Sequence, residues 1–143
     1  MRGLVQVWVS ERNLRIHVVA AWAVLALAQL VRVSRTEFLF LLVVITVVVA
    51  AELVNTSVEL LTNLVVRDRH PVAGAVKNIA AATVLVAATG AFTAGLVVFW
   101  PYLPRLPALV LAGARSRPLV AVAHGAGILG LAAAGMVMPR RRL

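Results

Sequence analysis

Residues 38–66, FLFLLVVITVVVAAELVNTSVELLTNLVV, decide the fold. The first half of this run is uncharged, and the second half carries acids and amides among Leu, Val and Ala. As one helix rising ~1.5 Å per residue it would be ~43 Å long, more than a ~30 Å hydrocarbon core requires. Its last third is therefore expected to emerge into the headgroup region. On either side the chain repeats the theme: an apolar span over 16–31, polar residues 32–37, a third span over 76–100 and a fourth over 118–138. Arg67-Asp68-Arg69-His70-Pro71 breaks the long helix, and Pro71 is suited to open the next one. Pro101, Pro104 and Pro107 predict a stiff connector. The expected architecture is an all-α, polytopic membrane helical bundle. It divides into a membrane domain over 1–100, a Pro/Arg-containing connector over 101–117, and a further span with a basic tail over 118–143.

Composition agrees. The 143 residues are 62% hydrophobic and 13% charged, with a mean hydropathy of +0.99, so a soluble domain of this size is excluded. The net charge of +9 does not point to nucleic acid, because the basic residues sit in clusters between apolar spans rather than on one soluble face. With the N-terminus inside, inner segments hold Arg2, Arg12, Arg15, Arg67, Arg69, Lys77 and Arg140 to Arg142, nine in all, against Arg32, Arg35, Arg105, Arg115 and Arg117 outside. That excess predicts both termini inside and four spans. A cleaved leader is disfavoured, since the first apolar run continues past the small residues Ala26-Leu27-Ala28. Cysteine is absent, which excludes disulfides and thiolate chemistry.

The chemistry lies in the last third of the long run. At ~100° per residue, Glu52, Asn55, Glu59 and Asn63 fall at roughly 0°, 300°, 340° and 20°, with Thr56 near 40°, so they form one narrow line. Carboxylates at membrane depth need a cation, a proton or a basic partner. Two of them on one face near the cytoplasmic end suggest a shared cation, where the alternative is helix glue through hydrogen bonds. Glu11 precedes the first span beside Arg12 and Arg15, while Lys77 and Asn78 lie early in the third helix, whose N-terminus favours an anion. Carboxylates for Mg²⁺, a lysine for phosphate and a carboxylate able to take a proton make a phosphoryl-transfer kit. No GxxxxGK[ST] loop is present, so a P-loop kinase is excluded.

Three blocks, ERNLRIH (11–17), AELVNTSVELL (51–61) and HPVAGAVKNIAAATVL (70–85), resemble the bacterial diacylglycerol kinase family, and the first and third resemble its undecaprenol kinase branch. The resemblance spans about residues 2 to 100. It implies a three-span homotrimer in the bacterial inner membrane that phosphorylates a membrane alcohol with Mg²⁺ and ATP, its sites lying between subunits at the cytoplasmic interface. By position it makes Glu52 the general base and Glu11 and Glu59 the metal ligands. Lys77, Asn55, Asn63 and Asn78 would contact ATP and its phosphates, and Arg15 with Glu52 would face the lipid. Undecaprenol is favoured over diacylglycerol. The chain departs from the pattern at Asn63 and Asn78, where the family has Asp, in a largely absent N-terminal surface helix, and in the added fourth span. These departures keep open a catalytically weakened relative that binds or scaffolds. A small membrane transporter is the remaining alternative, although its acid would be expected to face a central cavity.

Other signals read as structure. Gly125, Gly127 and Gly130 spell GxGxxG inside an apolar span, which suggests helix packing rather than a dinucleotide loop. His124 is expected to hydrogen-bond between helices, and His17 and His70 are too isolated for zinc. Ala87, Ala91 and Gly95 predict close helix approach. Trp8, Trp22, Trp100 and Tyr102 read as interfacial anchors.

Overall fold

The computed structural model describes residues 7–66 and 70–137, and the backbone alone at 135–137. Arg2, Arg67, Arg69 and Arg140 to Arg142, used above to orient the chain, lie outside the described residues. Every described element is helical. Residues 7–10 form a helical turn that ends at Glu11, whose N–H donates to the Val7 carbonyl at 2.8 Å. Then come α1 (Arg12–Val31), α2 (Arg35–Val65), α3 (Pro71–Phe99), a 3₁₀ segment (Trp100–Arg105), α4 (Leu106–Ser116) and α5 (Pro118–Val137).

Each boundary has a local cause. Arg32 ends α1 in the left-handed region at φ 61°, and Val33 N–H donates back to the Ala28 carbonyl at 3.1 Å. Ser34 then opens α2 with a capping box: its hydroxyl accepts from Glu37 N–H at 3.2 Å, and its own N–H donates to Glu37 Oε2 at 2.7 Å. Pro71 sits in the first turn of α3, where His70 Nδ1 accepts from Val72 N–H at 3.3 Å. Within the apolar helices the hydroxyls of Thr46, Thr56, Thr62, Thr83, Thr89 and Thr93 donate to carbonyls four residues back. That satisfies them without water.

Packing is that of a bundle whose outside is apolar. Leu64, Val86 and Leu119 are 78%, 73% and 84% exposed, which suits lipid as the surrounding solvent. α1, α2 and the run Pro71–Ser116 are each long and apolar enough to cross a membrane, and Pro118–Ala134 of α5 is also apolar. The most extensive helix contact is between α2 and α3. A small core of Ala28, Leu41 and Val98 sits near the turn between α1 and α2.

The C-terminal hairpin covers α1. Tyr102 donates its hydroxyl to Glu37 Oε2 at 3.0 Å, which ties the 3₁₀ segment to the start of α2. The opposite end of α4 is held where Arg32 Nη2 donates to Ser116 Oγ at 2.9 Å. α4 thus lies across the end of the bundle that carries the α1–α2 turn. α5 runs back antiparallel to α1, with His124 Nε2 3.1 Å from Gln29 Oε1 and Gly127 against the Trp22 ring. The inter-helix hydrogen bond expected of His124 is therefore present. Trp22 is an inter-helix contact rather than a rim anchor, its ring meeting His124 edge-on at 5.9 Å. The expected stiff connector is mostly helix, because Pro101 and Pro107 occupy first-turn positions where a missing N–H costs nothing.

Candidate functional site

The line of polar residues on α2 does run down one side of the helix, but its members meet different surroundings. Glu52 is 2% exposed and Thr56 3%; Asn55 is half-buried, and Glu59 and Asn63 are exposed. The Thr56 hydroxyl donates to the Glu52 backbone carbonyl at 3.0 Å, so it does not engage the carboxylate. No hydrogen bond to a described residue holds the Glu52 side chain. Burial is the main influence on its charge, and His17 and then Glu11 act on it more weakly through space.

Both neighbours come from the start of α1. Glu11 is half-buried at the N-cap and makes no side-chain cap bond, which leaves its carboxylate available. His17 stands further along the helix and turns toward α2. Arg15, two residues before it, is 4% exposed. The block 11–17 therefore brings an acid and an imidazole to bear on the acid of α2, with a buried guanidinium in the same segment of α1.

A second polar contact joins the end of α2 to the start of α3: Lys77 Nζ donates to Asn63 Oδ1 at 2.5 Å. Asn78, beside Lys77, is exposed. One chain thus sets Glu11 and His17 within electrostatic range of Glu52 and pairs Lys77 with Asn63, while Glu59 and Asn78 stand outward. Among the described residues no group of three acids or histidines forms a metal cluster.

Above His17 the helices form a half-open apolar cavity of about 370 Å³, lined among others by Val24, Ile45, Ala91, Gly95 and Leu106. Ala91 and Gly95, expected to bring helices together, leave room instead: a Cβ on Gly95 would meet nothing within 4 Å. Small residues at helical spacing permit close approach but do not enforce it. His17, too isolated in the sequence to suggest zinc, gains a role only from its place beside α2. Its place at the end of the ERNLRIH block was the available signal.

Residues 1–99 match the family described as prokaryotic diacylglycerol kinase. The chain belongs to that family. Within it, the undecaprenol kinase of Bacillus subtilis (strain 168) is 36% identical over 102 residues, covering 71% of this chain and 83% of the relative. No solved structure gives a significant match. Membership makes the chain a membrane lipid kinase of the prokaryotic diacylglycerol kinase family. The family match ends at residue 99, the last residue of α3, so the hairpin of α4 and α5 lies beyond it.

Proposed function

We propose that the protein transfers the γ-phosphoryl group of ATP to a membrane alcohol, undecaprenol ahead of diacylglycerol, at the cytoplasmic face of the bacterial inner membrane. It would do so as a multi-pass homotrimer with both termini inside. The observation that carries this reading is a carboxylate buried to 2% on a membrane helix, within electrostatic range of His17, which itself lines an apolar cavity. That juxtaposition suits an amphiphilic alcohol: tail in the cavity, hydroxyl at the acid. The similarity to an undecaprenol kinase supports the choice of alcohol.

In this reading Glu52 accepts the hydroxyl proton as the lipid oxygen bonds to the γ-phosphorus and the bond to ADP breaks. A carboxylate that no donor among the described residues claims is free to take that proton. Lys77 neutralises phosphate charge, and Asn55, Asn63 and Asn78 offer amide contacts to the nucleotide. Arg15 lies beside the lipid at the interface.

The donor set fits Mg²⁺. This ion binds oxygen ligands, and in nucleotide sites it takes one or two carboxylates together with phosphates and water. Glu11 and Glu59 would hold it, and when bound it would offset negative charge on the phosphates. Glu59 is exposed on the single chain, which is consistent with a site completed between subunits of a trimer.

A weakened, non-catalytic relative is favoured by one contact, since Lys77 spends its ammonium on Asn63. Transfer of labelled phosphate from ATP to undecaprenol, diacylglycerol and ceramide in mixed micelles separates the two. Undecaprenol should be labelled fastest. Folded protein that labels none of the three would establish the non-catalytic reading.

A further inference from the structure

The end of the bundle remote from Glu52 carries a concentration of positive charge that the kinase reading does not use. Arg32, Arg35, Arg115 and Arg117 are all exposed there. Three of them belong to one short stretch of the fold, because Arg32 Nη2 bonds the hydroxyl of Ser116, and Arg115 and Arg117 are the residues on either side of Ser116 in the chain. Ser116 in turn donates to the Gly113 carbonyl at 3.1 Å, so this hydroxyl is fixed and offers Arg32 a neutral partner only. The acid of this end, Glu37, is already engaged by Ser34 N–H and the Tyr102 hydroxyl. Guanidinium groups gathered without a carboxylate repel one another, and their planar donor forks match phosphate oxygens.

Two further features adjoin Arg117 in the chain. α5 begins at Pro118, directly after Arg117, so the positive end of a 20-residue helix dipole joins the cluster. Immediately beyond it Leu119 and Val122 are 84% and 69% exposed, which sets an apolar strip against the charged one. A phosphate with hydrocarbon attached satisfies both. A free phosphate satisfies the first alone.

We propose that the hairpin of α4 and α5 builds a binding site for the phosphate of an anionic phospholipid, held by Arg32, Arg115 and Arg117 with Arg35 at its edge, its acyl chains lying along Leu119 and Val122. In the orientation given above this is the outer leaflet, where basic residues are ordinarily sparse. The site is separate from the kinase centre, and its test needs no turnover.

The full-length protein would be placed in nanodiscs of phosphatidylcholine alone or of equimolar phosphatidylcholine and phosphatidylglycerol, and bound lipid counted by native mass spectrometry after extraction. Phosphatidylglycerol should be retained in preference to phosphatidylcholine, and inorganic phosphate should not displace it. Each arginine near an anionic surface contributes an increment equal to about fivefold in affinity, so R115Q/R117Q should weaken retention by about 25-fold. R115K/R117K, which keeps the charge and guards against misfolding, should lose only part of that. Equal retention of both lipids by the wild type, or undiminished phosphatidylglycerol retention in R115Q/R117Q, overturns the proposal. Displacement by inorganic phosphate would assign the cluster to a soluble anion instead.

Discussion

The two ends of this bundle treat polar groups in opposite ways. At the α1–α2 turn they close on one another: Ser34 and Glu37 cap reciprocally, Tyr102 adds a third bond, and Arg32 clasps Ser116. At the other end Glu11, His17 and Glu52 sit within electrostatic range, yet the Glu52 carboxylate is claimed by no hydrogen bond from a described residue. Polar atoms buried in apolar surroundings are normally paired, because leaving one unpaired costs about 1–3 kcal/mol. At the α1–α2 turn these bonds fasten helices together and leave only exposed guanidinium groups for a ligand, whereas the other, open end keeps a buried carboxylate uncommitted.

The strongest way to break that contrast is Glu52→Gln, which keeps shape but cannot take a proton. Its kcat should fall by ~10²–10⁴-fold with the KM for ATP nearly unchanged. Steady-state transfer kinetics at saturating lipid would read it, and a loss confined to KM would make Glu52 a binding residue. Substitution at the fastened end should act on stability instead. A Cβ on Gly113 would run into the Leu30 backbone, its carbonyl carbon at 2.9 Å. Gly113→Ala should therefore destabilise the hairpin by about 1–3 kcal/mol, seen as a lower Tm in detergent with kcat retained. Gly90→Ala, where nothing lies within 4 Å, is the matched control and should not lower Tm.

Smaller effects sharpen the open end. Glu11→Gln and Glu59→Gln should each raise the Mg²⁺ needed for half-maximal activity on the order of tenfold, because each removes an anionic oxygen from a cation that holds few. Titrations that match the wild type would place the metal elsewhere. The smallest effect is expected of Asn63→Asp. The new carboxylate would hold Lys77 more firmly and sit one turn from Glu59, where like charges repel. The kcat/KM for ATP should fall about threefold, the size of a modest surface charge interaction. A clear gain would mean that Asn63 marks a damaged ancestral site.

How much of this was legible in the sequence differs between the same two ends. The long apolar run, the Ser34–Glu37 signature and Pro71 each declare a local boundary, and the helices begin and end close to them. The line from Glu52 to Asn63 is a matter of helical period, so it too could be read in advance. Its rotation could not: that Glu52 is buried while Glu59 is exposed depends on how α1 and α3 pack against α2. His17 was missed for the same reason, since its relation to Glu52 crosses between helices. The helical form of residues 101–116 was obscured by proline, which breaks a helix in its interior but begins one readily.

The cavity beside His17 has a mechanical consequence. Protein interiors are ordinarily packed as densely as organic crystals, whereas here about 370 Å³ of half-open space lies between helices without side chains to fill it. The space is open at its mouth, so only the part left unfilled by lipid would be lost on unfolding, and to that extent hydrostatic pressure should favour the unfolded chain. An inert apolar atom such as xenon, or a hydrocarbon tail, would occupy the same space and stiffen the bundle against compression. Elasticity, measured as the pressure dependence of unfolding with and without such a guest, is thus a property that Ala91 and Gly95 confer by what they leave out.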